Sequence, residues 1–322
     1  MNADTRRLTK RLPRDIDLVA GIPRSGLLAA NLLCLHLDVP MVDIDGLCEG
    51  RLFDTGSRFD HRDSLDEFDS VLVVDDSVLT GGQMTETRAR LANHDFPFDV
   101  TYAAVYVSPE GHQHVDYWEE VVPAPRIFEW NILHHTKLSD FCVDIDGVLC
   151  RDPTPEENDD GDNYREFLAA VEPNFVPKRR IGCLVTSRLE RYRPETERWL
   201  ADHGIEYDRL VMMDVPDMET RRKQGKYGEY KADVYDSTDA DLFIESDPKQ
   251  AAEIRRRTNR PVYCYETNEM LNPGFLGRSR RRVTEGASAF KSEPLLAPAR
   301  AAFTFSLRSY HRLWRSRRTK NR

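Results

Sequence analysis

The sequence predicts an α/β protein made of two doubly wound, parallel-sheet, Rossmann-like domains and a basic helical C-terminal tail. Three observations carry this expectation. Short apolar runs alternate with helical patterns along most of the chain, as strand–helix–strand units require. The chain has 322 residues, the length of two ordinary domains. Three of the apolar runs end in acids, at Asp75 and Asp76, at Asp144 and Asp146, and at Glu245 and Asp247. Open parallel sheets keep their ligands at the carboxyl ends of their strands.

In the first half, Asp17 to Ile22 reads as a strand entering the turn Pro23-Arg24-Ser25-Gly26, and Leu27 to Leu37 as a helix. Pro40 to Ile44 is a short strand. The interval Asp45 to Asp66 is polar and carries Arg51, Arg58 and Arg62. Val71 to Val74 is a buried strand, followed at once by Asp75 and Asp76, then Ser77, then Thr80-Gly81-Gly82 and a helix from about Met84 to Leu91. This order of residues makes a phosphate-and-sugar site. The N–H groups of the turn and the helix N-terminus attract a phosphate. The glycine pair lets the backbone approach closely. Adjacent carboxylates can accept hydrogen bonds from neighbouring hydroxyls, as on a ribose. Thr101 to Val107 is a further strand, and Val121 to Asn131 carries Phe128 and Trp130. His112 and His114 have strand-like metal spacing without a nearby third ligand, and read as surface loop.

The stretch Val71 to Met84 resembles the phosphoribosyl-pyrophosphate (PRPP) motif of the type I phosphoribosyltransferases. The resemblance implies that Asp75 and Asp76 hold the ribose hydroxyls, and that Ser77, Thr80, Gly81 and Gly82 hold the 5′-phosphate. Arg24, Ser25 and Gly26 fall where that family binds pyrophosphate, about fifty residues ahead of the acid pair. Arg51 or Arg58 falls in the family's mobile hood, for which a solvated hairpin is the alternative. Phe128 or Trp130 falls where an aromatic stacks on the base, with core packing as the alternative for one of them.

The second half opens near Leu138. Phe141 to Leu149 is a strand ending in Asp144-Ile-Asp146-Gly. Ile181 to Val185 leads to Thr186, Lys231 opens a helical pattern, and Asp241 to Ile244 leads to Glu245-Ser-Asp247 and a helix from Pro248 to Arg257. Pro261 to Tyr265 is the last strand. These four signatures, in this order, resemble those of the haloacid-dehalogenase-like (HAD) phosphohydrolases. The resemblance implies Asp144 as nucleophile toward a phosphoryl group, Asp146 as general acid and base, and Thr186 and Lys231 as partners of the phosphoryl oxygens. It implies Mg²⁺ on Asp144, Asp146 and Glu245, with Asp247 a further acid. Glu-Ser-Asp stands where that family commonly has two adjacent acids, which leaves the part of Asp247 open. The acidic segment Arg151 to Asp162 reads as a solvated flap. The forty residues between Asp146 and Thr186 leave no room for a large cap, so the site is open or covered by another domain.

Composition bounds the rest. The net charge of −9 is uneven: Gly277 to Arg322 carries thirteen Lys and Arg against two Glu, which leaves the body strongly acidic. That argues against a nucleic-acid-binding core and leaves the tail as the part that seeks anions. Phe303, Leu307, Tyr310 and Trp314 recur there at helical spacing, as on an interfacial helix, an arm, or a helix docked on its own domain. Six cysteines lie scattered without CxxC spacing, as reduced thiols do. No apolar run is long enough to span a membrane, and Met1 to Arg14 lacks the apolar stretch of a signal peptide, so a cytoplasmic location is expected.

The expected organisation is a phosphoribosyltransferase-like domain over residues 1–136, a HAD-like domain over 137–276, and a basic linker and tail over 277–322. The expected function is bifunctional: PRPP-dependent phosphoribosyl transfer to a base, orotate or purine-like, and Mg²⁺-dependent phosphomonoester hydrolysis. The alternative is a PRPP or nucleotide sensor that regulates the phosphatase without transfer. The expected partners are PRPP, a nucleobase and a phosphate ester, an anionic surface for the tail, and a second copy of the chain.

Overall fold

The structure is a computed structural model that describes residues 1–53 and 64–273. Arg58, Arg62 and the basic tail lie outside these residues. Two sheets organise the described chain. The first contains β1 (Leu18–Gly21), β2 (Met41–Asp43), β3 (Ser70–Val78), β4 (Asp99–Val107) and β5 (Tyr117–Val121), in the spatial order β2-β1-β3-β4-β5. All its neighbours are parallel. Around it lie α1 (Asn2–Leu8), α2 (Gly26–Leu37), α3 (Ile44–Glu49) and α4 (Gly82–Leu91).

The second sheet contains β6 (Phe141–Val143), β7 (Ile181–Leu189), β8 (Tyr207–Met213), β9 (Leu242–Glu245), β10 (Val262–Cys264) and β11 (Glu269–Leu271), in the order β11-β10-β9-β6-β7-β8. Only β11 is antiparallel, so a hairpin closes one edge. Its helices are α5 (Asp162–Ala170), α6 (Arg193–Asp202), α7 (Met218–Gln224), α8 (Tyr227–Asp236) and α9 (Pro248–Thr258). Both halves are therefore α/β, as expected.

The strands are apolar on both faces because each sheet is covered on both faces. Val71 and Val73 enter one core of the first half, whereas Leu72 and Val74 enter the other. In the second half Phe141 and Val143 face one core, and Cys142 faces the other together with Cys183 and Phe243. All six cysteines are free thiols, as expected. The segment between the sheets is shared. Ile127, Ile132 and Leu133 pack into the second half, while Phe128 and Trp130 pack against the first.

Several elements differ from the expectation. β3 does not stop at Val74. Its pairing with β4 continues through Asp75↔Ala104 to Val78↔Val107, after β1 has ended opposite Val74. The acids therefore sit in a strand that overhangs its neighbour. β7 likewise runs past Thr186 to Leu189, with an irregularity in its register against β8. β6 is shorter than the apolar run, because the chain turns at Asp144 and the Ile145 carbonyl accepts from the Leu149 N–H. α1, α3 and β5 carry too little apolar periodicity to be read from sequence. α3 is set by its cap, the Asp43 carboxylate accepting from the Gly46 N–H.

Among the described residues no helix is long and apolar enough to cross a membrane.

Candidate active sites

In an open parallel sheet the ligand crevice forms where the chain reverses its direction of winding. In the first sheet this is between β1 and β3, because β2 lies on one side and β4 and β5 on the other. The turn Pro23 to Gly26 leaves β1 there, and Asp75 and Asp76 stand in the overhang of β3. The Ser25 hydroxyl does not cap α2 but donates to Asp76 Oδ1 at 2.8 Å. Gly26 lies against Asp75, since a Cβ there would stand 2.9 Å from Asp75 Oδ1 and 3.0 Å from the Val74 carbonyl. The Pro23–Arg24 peptide is cis, and Arg24 is exposed. The structure thus brings Ser25, Gly26, Asp75 and Asp76 together.

The two acids differ in their surroundings. Asp75 Oδ1 accepts from the Asp76 N–H at 2.8 Å. Burial pushes the Asp75 carboxyl up to about 8, and the bonded, like-charged Asp76 adds to the rise, while Arg126 opposes it. Arg126 comes from the segment after β5 and donates to the Val78 carbonyl at 2.9 Å. Burial lowers its own pKa, and the two acids oppose that fall. Sequence reasoning missed Arg126 as a member of this site, because nothing local ties it to residues some fifty positions earlier.

A stability consequence follows from Asp75. An unfolded carboxyl titrates near 3.9. Between about pH 4 and pH 8 the folded chain holds a proton that the unfolded chain has released, so stability falls as pH rises through that window. Asp75→Asn removes the penalty. The variant is expected to melt above the parent at pH 8.5 by the equivalent of about 1 kcal/mol or more, or roughly 2–4 °C, with the gap closing toward pH 5. A gap independent of pH in thermal melts contradicts this.

The turn after β3 is built around Gly81, which caps α4 with φ of 79°. A Cβ on Gly81 would lie 2.1 Å from the His114 ring, so His114 packs directly on the loop. His112 and His114 lie in a short turn at the surface, as read from the sequence; His114 packs on the Gly81 loop, whereas the His112 ring lies 5.5 Å from that of Trp118. Gly81→Ala is expected to cost about 2–3 kcal/mol, since it combines left-handed strain with overlap. Gly50→Ala carries only the strain of φ 70°, as nothing lies within 4 Å of that position. Urea midpoints should separate the two variants.

Beside this turn a cavity of about 360 Å³ is lined by Ser77, Leu79, Arg126, Phe128 and His135, among others, and reaches Phe141 and Asp241 of the second half. Phe128 thus reaches a cavity wall. Trp130 stacks behind it at 4.7 Å with an interplanar angle of 3°, and packs on the core. Burial lowers the pKa of His135. Arg51 is exposed and pairs with Glu49 at 3.1 Å.

In the second sheet the winding reverses between β6 and β9. Asp144 and Asp146 follow β6, and Glu245 ends β9. The Lys231 ammonium, on α8, lies 2.7 Å from Asp144 Oδ2 and 2.7 Å from Glu245 Oε2. All three side chains are almost fully buried. Burial pushes the Asp144 carboxyl well up, with Glu245 and Asp146 adding to the rise and Lys231 opposing it. For Lys231, burial disfavours the charge, but Asp144 and Glu245 outweigh it and hold the ammonium above its ordinary value.

Asp146 is gripped by Arg188, whose Nη2 donates to Oδ1 at 2.7 Å and whose Nε donates to Oδ1 at 3.1 Å. Arg188 is fully buried. It is a second residue that sequence reasoning missed, although it stands two residues after Thr186. Thr186 is itself buried, and its Oγ1 accepts from the Arg188 N–H at 3.2 Å. Asp247 caps α9, accepting from the Lys249 and Gln250 N–H groups at 2.8 Å. Ser246 donates to the Asp146 carbonyl at 3.2 Å.

These residues suit a hard divalent cation. Counting formal charges, the Asp146–Arg188 pair cancels, whereas Asp144, Glu245 and Lys231 leave one negative charge away from water. Asp144, Glu245 and the Asp146 carbonyl are oxygen donors of the kind Mg²⁺ takes. Lys231 bridges the two carboxylates, and among the described residues no group of three or more His, Cys, Asp or Glu is placed to hold a metal ion, so the Asp146 carbonyl would have to complete such a set.

A cavity of about 720 Å³ opens on Asp144, Asp146 and Lys231, and all its lining residues fall between 144 and 266. Among the described residues, none of the first half lines it. Its cover is local. The end of the acidic segment is tied down rather than solvated, because Asp160 accepts from the Tyr192 hydroxyl at 2.9 Å and from the Met218 N–H of α7 at 3.0 Å.

No protein-family model and no curated protein matches this chain. Among solved structures it is similar to a xanthine-guanine-hypoxanthine phosphoribosyltransferase of Helicobacter pylori, at 15% identity and a TM-score of 0.31 over 41% of this chain and 86% of that one. It is also similar to a purine phosphoribosyltransferase of Pyrococcus horikoshii, at 21% identity and a TM-score of 0.27 over 39% of this chain and 89% of that one. An orotate phosphoribosyltransferase of Aeropyrum pernix gives 19% identity and a TM-score of 0.27 over 38% and 69%.

Proposed function

We propose that the chain is a bifunctional enzyme, with a PRPP-dependent phosphoribosyltransferase in the first half and a phosphomonoesterase acting through Asp144 in the second. The observation that carries the reading is the same in both halves. Ser25, Gly26, Asp75 and Asp76 meet where the first sheet reverses its winding, between β1 and β3, and Asp144, Glu245 and Lys231 meet where the second does, between β6 and β9.

In the first half the main-chain N–H groups around Thr80 to Gly82 and the N-terminus of α4 receive the 5′-phosphate. Asp75 and Asp76 accept from the ribose hydroxyls. The turn Arg24 to Gly26 receives pyrophosphate. The base lies against Phe128, whose ring lines the cavity beside Ser77.

In the second half an Asp144 oxygen attacks phosphorus and the ester oxygen leaves with a proton that Asp146, ionised in its pair with Arg188, first takes up from solvent. Asp146 then takes a proton from the water that hydrolyses the aspartyl-phosphate. Lys231 holds Asp144 in place and offsets the charge gathering on the phosphoryl oxygens. Arg188 fixes the plane of the Asp146 carboxylate through a forked contact. Asp144, Glu245 and the Asp146 carbonyl would hold Mg²⁺, which supplies charge stabilisation to the phosphoryl group when bound.

Two measurements on the full chain test the reading: calorimetric titration with Mg²⁺–PRPP, and Mg²⁺-dependent phosphate release from a panel of monoesters. Binding in the first and turnover in the second are expected. Absence of either removes the corresponding half.

A further inference from the structure

The Asp144 cavity is larger than a phosphoryl group needs. Its volume of about 720 Å³ is that of a site for a whole small molecule. Of its cationic lining residues, Lys231 is engaged with Asp144 and Glu245. The other is Arg221, on α7. Five acids share the lining, Asp144, Asp146, Asp152, Asp247 and Glu266. Arg221 nevertheless has no carboxylate partner among the described residues. Its Nη1 donates to the Ser187 carbonyl at 2.8 Å and its Nη2 reaches Asn158 Oδ1 at 3.5 Å. The guanidinium lies 5.8 Å from the Tyr227 ring, which lines the same cavity.

Arg191 and Arg193, by contrast, are neutralised, the first by Asp160 and the second by Glu190 and Glu197, while Arg222 lies exposed outside the lining. Arg221 is half-buried, so its charge is partly desolvated without an opposing one. Two buried polar atoms that can donate but have no hydrogen-bond partner belong to lining residues of this cavity, namely Arg221 Nε and Ser187 Oγ. Buried polar groups left unpaired are costly, and these two belong to residues in direct contact, the Arg221 guanidinium bonding the Ser187 carbonyl, where a ligand would complete the bonding. The mount is built. Asp217 caps α7 through the Thr220 N–H at 2.7 Å, and Arg222 ties α7 to the Asn158 carbonyl at 3.3 Å.

We propose that Arg221, with Ser187 beside it, forms a second anion subsite in the Asp144 cavity, so that the second half prefers phosphomonoesters bearing a further phosphoryl group. One phosphoryl group is placed on Asp144, and the other meets the guanidinium fork, which matches phosphate geometry. Tyr227, whose ring lines the same cavity, serves as a platform for the body of the substrate. This assignment rests on the phosphatase reading of the Asp144 site.

The test compares matched pairs on the full chain with Mg²⁺: fructose 1,6-bisphosphate against fructose 6-phosphate, and adenosine 3′,5′-bisphosphate against adenosine 5′-monophosphate. The wild type is expected to favour the bisphosphate in kcat/KM in at least one pair. Arg221→Gln should lower that preference by about thirtyfold, the usual scale for losing a hydrogen-bonded charge pair, and Arg221→Lys by less. No preference in either pair, or one that survives Arg221→Gln within threefold, overturns the proposal. A binding arm separates it from the phosphatase reading. Bisphosphate binding to Asp144→Asn, with saturating PRPP present to fill the first half, should weaken when Arg221→Gln is added even if no ester is turned over. Equal binding by the two forms overturns the subsite independently of catalysis.

Discussion

Asp144→Asn should abolish Mg²⁺-dependent phosphate release, lowering kcat by a factor on the order of 10⁴ or more, while PRPP binding is retained. The amide cannot form the acyl-phosphate. It keeps the size of the side chain, and its one carbonyl oxygen can still accept from Lys231, which stands 2.7 Å from Oδ2 in the parent, with loss of the Ile145 N–H bond that Oδ1 accepts at 2.8 Å. Lys231 also keeps its second partner, Glu245. The buried ammonium is therefore not orphaned, and the fold should survive. Phosphate release assays with calorimetry on the same protein preparation check both parts. Activity within tenfold of the parent would remove Asp144 as nucleophile, and loss of PRPP binding would show that the substitution reaches the first half.

The double variant Asp75→Asn, Asp76→Asn should weaken Mg²⁺–PRPP binding at least about tenfold, since one charge-assisted acceptor is worth on the order of 1.5–3 kcal/mol and Asp75 keeps its proton up to about pH 8. Phosphatase activity should persist, because among the described residues the lining of the Asp144 cavity falls between 144 and 266. The carboxamides remain able to accept from the Asp76 N–H and the Ser25 hydroxyl, the contacts that these acids make now. A loss of affinity thus reports on the ligand rather than on unfolding. Calorimetric titration is the check, and unchanged affinity would sink the assignment of the acid pair.

The two crevices were legible in the sequence because their chemistry is written into strand ends. Val71 to Val74 and Leu242 to Ile244 are apolar on both faces, and the acids begin where the apolar run stops. The turn Pro23 to Gly26 was legible for the same reason. What joins these pieces was not. Arg126 approaches Asp75 and Asp76 from a segment that follows β5, and Arg188 reaches back forty-two residues to Asp146. Each looks like an ordinary charged residue until the sheet order brings it to its partner. His114 is a similar case: its ring defines the space over Gly81, but only the packing of the turn after β4 puts it there. β5 was hidden because an edge strand with Glu119 and Glu120 lacks the apolar run of a central one. Trp130 and Phe128 looked equivalent as aromatics. They part company because they stack on one another, so only the outer ring reaches the cavity.

The measurement that tests the central claim most directly is pyrophosphate release by the full chain from Mg²⁺–PRPP, in the presence of orotate, uracil, adenine, guanine, hypoxanthine and xanthine in turn. Release with at least one base, absent in the Asp75→Asn, Asp76→Asn variant, is the expected result. PRPP binding without pyrophosphate release from any base would contradict it, and would leave the first half as a sensor of PRPP rather than a transferase.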